Sequence, residues 1–424
     1  MDSNPARGRI PRTGILFAGN PAEGTIQDIR FEQDGLPDGI RERIKMYTKD
    51  DVFTLARRRH NTKRSYLLIN PLQAKHIPVS PSEAVGMMSC LGDMIAEKVP
   101  GASLVIGFAE TATSVAAFAA ERIGAGCGYI HTTREFLSEG GDRIGFLEEH
   151  SHAAEHELHC GFIGERVAGA PAVVFVDDEI STGKTLINAV TRLRERFPAL
   201  REKPTVAASL ISRLSTRDEE TLSAAGIESV SLVRMPWEDL TGTAERFEIS
   251  EPADCTGDGA SPFAEAIAAR AQFPDPRLGV EIGEYLRFCR DEAAFLAPGL
   301  KQMADPEGKI LVLGTEECML PALVLGLELE KSCAAVRCHA TTRSPIGICA
   351  DPGYPITSGY RLRSMYDSLR TAYIYDLAPY ALAAVVTDAP RGNAAGRADL
   401  CRALEAAGCR RIVFIEGGRD VQHL

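Results

Sequence analysis

Along the chain, short apolar runs alternate with longer stretches whose apolar residues recur every three or four positions. "ASLVIGFA" (102–109), "PAVVFVDD" (171–178), "TVAASLIS" (205–212) and "ESVSLVRM" (228–235) are continuous apolar runs of strand length. "RSYLLIN" (64–70) and "GCGYIHTTRE" (126–135) read as two more strands, the latter with an exit loop. Between them, "SPSEAVGMMSCLGDMIAEKV" opens with Ser80, Pro81 and Glu83, a helix-start signature. Val85, Met88, Leu91, Ile95 and Val99 then follow at helical spacing, so that stripe is core. "ETATSVAAFAAERI" and "KTLINAVTRLRERF" are further predicted helices. Strands alternating with helices predict an α/β fold built on a parallel sheet, with ligands at the carboxyl ends of the strands. Glu110, Thr132 to Glu135 and Asp177 to Thr185 fall at such ends.

The pattern then starts again. "ADCTGDGASPF" (253–263) has the composition of a linker, and a helical stretch follows at 278–303. "KILVLGTEECMLPALVLGLELEK" echoes "SLVIGFAETATSVAAFAAER", "CHATTRSP" echoes "YIHTTREF", and "AAVVTDAPRGNAAGRADL" echoes "VVFVDDEISTGKTLINAV". The offsets are nearly constant: 207 from Gly107 to Gly314, 209 from Thr132 to Thr341, 210 from Asp178 to Asp388 and 209 from Gly183 to Gly392. This predicts an N-terminal extension (1–64), a first domain (65–262) and a second α/β domain (275–424) that is a degenerate copy of the first. The copy keeps Asp388 but has Thr387 where the first has Asp177.

Composition narrows the class. The 424 residues are 45% hydrophobic and 25% charged, ordinary for a globular protein. No apolar run approaches a membrane span, and the N-terminus has no apolar leader. Eleven scattered cysteines without a C-x-x-C pair read as reduced thiols, so a cytoplasmic location is expected. A net charge of −11 argues against broad nucleic-acid binding. The exception is 41–64, with nine Lys/Arg against three acids, either a solvated face or a contact for an anionic substrate or RNA.

The candidate chemistry centres on "AVVFVDDEISTGKTLINAV" (172–190). "GKT" suggests a nucleotide-binding P-loop, but that motif needs glycine where Asp178 stands, beside Asp177. Two carboxylates would repel a triphosphate. They suit vicinal sugar hydroxyls instead. Ser181, Thr182, Gly183, Lys184 and Thr185, at a helix start, suit one phosphate monoester. A sugar 5-phosphate with free 2- and 3-hydroxyls satisfies both halves.

This stretch resembles the phosphoribosyl-pyrophosphate (PRPP) motif of type I phosphoribosyltransferases. The resemblance implies that Asp177 and Asp178 hold the ribose hydroxyls and that Ser181 to Thr185 hold the 5-phosphate. Glu179 is unusual there, facing either the metal or solvent. Mg²⁺ would be held mainly through PRPP, with Asp177 and Asp178 as further candidates. "GFAETATSVA" offers Glu110, Thr111, Ala112 and Thr113 as the pyrophosphate loop. As in orotate phosphoribosyltransferases, "TTRE" offers Arg134 for pyrophosphate, followed by Glu135. The next segment, with His150, His152, His156 and His159, is placed as a mobile catalytic hood, and His150 and His152 are candidate proton donors. "HAAEH" also matches an inverted zinc-protease pattern, and an exposed polar hairpin is the third reading. "TTRSPIG" (341–347) resembles the TRSP domain found C-terminal to orotate phosphoribosyltransferase-like domains in bacterial tellurium-resistance and stress gene clusters.

The implied reaction moves phosphoribose from PRPP to a base-like acceptor with release of pyrophosphate, making a nucleotide-like metabolite. Arg343 and Ser344 are second-domain substrate candidates, with packing and assembly as the alternative. Self-association as a homodimer is expected. A non-catalytic PRPP-sensing regulator and a P-loop ATPase or kinase are the competing functions.

Overall fold

The computed structural model describes residues 47–61, 64–135, 141–146, 156–257, 264–305, 308–390 and 393–418. Strands β1 (Thr54–Arg57) and β2 (Tyr66–Ile69) form an antiparallel hairpin of their own. The "RSYLLIN" strand therefore stands outside the parallel sheet. The first main sheet collects β3 (Leu104–Gly107), β4 (Gly128–His131), β7 (Val173–Ile180), β8 (Thr205–Ser212) and β9 (Glu228–Arg234), all parallel, in the order β4-β3-β7-β8-β9. Between β4 and β7 stands a second hairpin, β5 (Arg143–Phe146) and β6 (His156–His159).

Helices cover both faces, so the central strands carry apolar residues on both sides; all eight residues of β8 are buried. The helix Pro81–Lys98 turns Met87, Met88, Leu91 and Ile95 inward, while Val85 and Val99 are partly buried. Its packing partner, Thr113–Ile123, is buried along most of its length, because alanines let the helices approach the sheet closely.

The second sheet is built from β11 (Ala264–Ala268), β13 (Ile310–Gly314), β14 (Val336–Ala340), β17 (Leu382–Thr387) and β18 (Ile412–Glu416), again all parallel, in the order β14-β13-β17-β18-β11. By position, β14-β13-β17-β18 repeats the order β4-β3-β7-β8, but the fifth place differs: β9 follows the other parallel strands of its sheet in the chain, whereas β11 precedes those of the second. A small sheet of β10 (Ala253–Asp254), β15 (Gly359–Arg363) and β16 (Thr371–Tyr375) flanks it. The chain crosses back once: β12 (Val280–Glu281) adds antiparallel to β4 before the helix Ile282–Met303. One hydrophobic core runs through both domains, joining Val105 and Val174 of the first sheet to Val312 and Val386 of the second. All eleven cysteines are free, and none is fully exposed. Among the described residues, no helix is long and apolar enough to cross a membrane.

Candidate functional site

The buried half of β7 ends at Val176, and Asp177, Asp178 and Glu179 emerge half-buried at its carboxyl end. The chain then turns through Ser181 to Gly183 into the helix Lys184–Arg196. Gly183 makes that turn with φ +74°, and a Cβ there would sit 3.1 Å from Leu222. The first intrahelical bond is Ile187 N–H to Gly183 C=O at 2.9 Å, so the amides before it lie outside the helix ladder. They sit at the positive end of the helix dipole.

A cleft of ≈ 700 Å³ opens above these strand ends. Asp177, Asp178 and every residue from Ser181 to Thr185 line it, together with Glu110, Thr111, Arg134, Arg343 and Ser344. The structure thus gathers two predicted loops and the second-domain candidates in one place. Thr111 ties the loops together by donating its hydroxyl to Asp178 Oδ1 at 2.8 Å. Burial pushes the Asp178 carboxyl up, partly offset by that hydroxyl, and an oxygen-seeking cation would relieve the penalty. The acid pair therefore suits a hard cation such as Mg²⁺ in its donor chemistry.

Other predicted residues stand elsewhere. Ala112 and Thr113 are buried at the start of the Thr113–Ile123 helix. Thr113 faces a second, minute cavity instead. Glu135 is buried behind the cleft wall, bonded to Arg370 at 2.8 Å and to Arg343. Burial and the Glu317 carboxylate push Glu135 up to about 8, against the pull of Arg343. Glu179 lines the cleft but is taken up by arginine: both its oxygens lie 2.8 Å from Arg64 Nη2, and buried Arg213 is 3.7 Å away. His150 and His152 lie outside the described residues, as does Gly392. His156, on β6, lines the cleft and stacks on Phe146, 5.6 Å between ring centroids. Its Nε2 accepts from Arg134 Nη2 at 2.7 Å, so Nδ1 carries the proton toward Thr132 Oγ1 at 3.0 Å. Among the described residues, no cluster of three or more metal-ligating side chains exists.

Two contributions to the cleft have no motif, and a buried lysine stands behind its wall. Arg58, Arg59, His60, Asn61 and Arg64 come from the loop between β1 and β2, within the basic stretch noted above. Arg370 and Thr371 come from the second domain. Lys75, fully buried, donates to Glu316 O at 2.6 Å, Thr341 O at 2.9 Å and Glu110 Oε1 at 2.9 Å. Burial would raise Glu110, but Lys75 and then Arg343 hold it at about 2.

Asp388, at the matching offset in the second domain, is taken up by its neighbours. Asp388 accepts from the Tyr366 hydroxyl and from buried Arg277. The space left beside them is ≈ 10 Å³, room for about one water.

A "phosphoribosyl transferase" family model matches residues 52–234, and a "TRSP domain C terminus to PRTase_2" model matches 276–403. Solved structures similar to the chain include the adenine phosphoribosyltransferase of Rhodothermus marinus, at 14% identity and TM-score 0.33, over 46% of this chain and 99% of that one. The orotate phosphoribosyltransferase of Aeropyrum pernix is 21% identical at TM-score 0.25, over 36% of this chain and 72% of its own. The adenine phosphoribosyltransferase of Trypanosoma brucei, solved with AMP, pyrophosphate and ribose-5-phosphate, is 15% identical at TM-score 0.33, over 46% and 79%. No curated protein matches the sequence. The first domain thus matches the phosphoribosyl transferase family, and the second matches the TRSP domain that stands C-terminal to it.

Proposed function

We propose that the chain transfers phosphoribose from PRPP to a base-like acceptor, with release of pyrophosphate. The observation that carries this reading is the Thr111–Asp178 hydrogen bond of 2.8 Å, which locks the acid pair and phosphate loop against a second anion-sized loop in one cleft. Asp177 and Asp178 would accept from the ribose hydroxyls, and Ser181 to Thr185 would hold the 5-phosphate. Glu110 and Thr111 would shape the pyrophosphate loop, with Glu110 also holding Lys75 and Arg343. Arg134, oriented by His156, would take pyrophosphate oxygens as charge develops on the leaving group. Arg343 and Ser344 face the same anion from the second domain. Bound Mg²⁺, held through PRPP near Asp177 and Asp178, supplies charge neutralisation to the leaving group. A hood between β5 and β6 in the sequence would exclude water, with His150 and His152 as its proton-donor candidates.

Charge supports a polyanionic ligand. Seven Lys/Arg and four Asp/Glu line the cleft, in a chain of net charge −11. The homodimer expected from the resemblance is not needed to complete this cleft, because both domains of one chain line it. The product would be a nucleotide-like metabolite, with a use in the stress and tellurium-resistance setting of the similar gene clusters. The test is pyrophosphate release from PRPP and Mg²⁺ with a panel of nucleobases and heterocyclic carboxylates. Release that needs both an acceptor and Asp178 supports transfer. PRPP binding without release for any acceptor would favour the sensing alternative.

A further inference from the structure

The two domains meet through a reciprocal exchange. Thr342 Oγ1 and Arg343 N–H of the second domain donate to Glu110 of the first, at 2.7 and 3.2 Å. Thr133 Oγ1 and Arg134 N–H of the first donate to Glu317 of the second, at 2.7 and 3.0 Å. The supporting loops match as well: Ala109 N–H donates to Thr132 Oγ1 at 2.8 Å, and Glu316 N–H to Thr341 Oγ1 at 3.0 Å. Residue i touches j while the counterpart of j touches the counterpart of i, as in an isologous dimer interface. Here the interface lies within one chain.

The symmetry breaks at the cleft. The first domain's cleft is open at ≈ 700 Å³, with Asp178 on its wall, whereas Asp388 at the matching offset is held by Arg277 and Tyr366. What the second domain turns toward the open cleft is a pair of half-buried arginines, Arg343 and Arg370. Arg370 stands beside β16 and lines the open cleft. Among the described residues its anchors all fall on Nη2: Glu135 at 2.8 Å, Glu316 at 3.0 Å and Ser364 at 2.9 Å. Nε is buried with no hydrogen-bond partner. Arg343, which shares Glu135 and Glu316 with Arg370, reaches Glu110 at the start of the first domain's anion loop. The acids lie behind, Glu316 at 1% and Glu135 at 7% exposure, and the Arg370 side chain is 23% exposed. A guanidinium held from behind through Nη2 can turn its Nη1 edge to a phosphate oxygen.

We infer that the second domain stands to the first as a built-in second subunit and lends Arg370 to bind the pyrophosphate half of the ligand in the first domain's cleft. This rests on the PRPP reading above. The experiment titrates Mg²⁺-pyrophosphate and, separately, ribose 5-phosphate into the full chain and into Arg370→Gln. Pyrophosphate affinity should fall at least about tenfold, the loss of one charge-assisted hydrogen bond, while ribose 5-phosphate stays within about twofold. Unchanged pyrophosphate affinity, or equal loss of both ligands, overturns the role of Arg370 and leaves the PRPP reading standing. A wild-type chain that binds neither ligand overturns both. Should Arg370→Gln not fold, Arg370→Lys decides: a several-fold loss confined to pyrophosphate supports the inference, and wild-type affinity overturns it.

Discussion

Glu110 and Glu317, one from each domain, occupy equivalent places and each accept a threonine hydroxyl and an arginine amide from the opposite domain. Both are buried, at 7% and 4% exposure, so their hydrogen bonds are shielded from water. Glu317→Ala removes the acceptor for Thr133 and Arg134 and a carboxylate beside Arg343. The expected cost is about 3 kcal/mol in urea unfolding, the range for breaking a buried ionic pair. A loss below about 0.5 kcal/mol would show that the exchange contributes nothing to domain docking.

Gly183 predicts a second outcome. Its φ of +74° and its 3.1 Å clearance from Leu222 leave no comfortable place for a Cβ. Gly183→Ala should cost about 1–2 kcal/mol through the left-handed backbone alone. It should also weaken ribose 5-phosphate binding, because the helix N-terminus it shapes would shift. Wild-type stability and affinity together would contradict this reading of the turn.

Two buried histidines set the acid limit. Burial first, then Lys75, pushes His76 down to about 3, and burial pushes His339 down to about 4. Neither ring nitrogen of His76 has a hydrogen-bond partner among the described residues. The unfolded chain charges these rings near pH 6.5 while the folded chain holds them neutral, so stability falls as pH drops from about 6.5 toward 3–4. Each contributes a loss of about 2 kcal/mol by pH 5. His76→Phe should lose about 2 kcal/mol less than wild type between pH 7 and pH 5 in urea titrations. An identical pH slope in the variant would assign the acid sensitivity to other groups.

Arg134 and His156 give a prediction on the cleft. His156→Ala removes the acceptor 2.7 Å from Arg134 Nη2 and should loosen the guanidinium. Pyrophosphate affinity should drop about three- to tenfold, and His156→Gln, which keeps an acceptor, should recover part of it. Equal affinities in all three proteins would separate Arg134 from His156.

What could be read in the sequence was local. The acid pair, the phosphate loop and the loop at Glu110 announce themselves because strand, turn chemistry and helix start lie within a dozen residues. The partners of buried charges were not legible. Glu179 looked free to face metal or solvent, yet it holds Arg64, which lies 115 residues away in sequence. Glu135 sits beside Arg134 in the chain but turns behind the wall, because Arg343 and Arg370 come from the other domain to meet it. Arg370 has no motif around it, and only the packing of two domains brings it to the cleft.

The central claim is a PRPP site at Asp177, Asp178 and Ser181 to Thr185. Calorimetric titration of PRPP with Mg²⁺ into the full chain and into Asp178→Asn tests it most directly. The account predicts saturable binding to wild type and a loss of at least about tenfold in the variant. No binding to wild type at millimolar PRPP, or equal affinity in the two proteins, would contradict it.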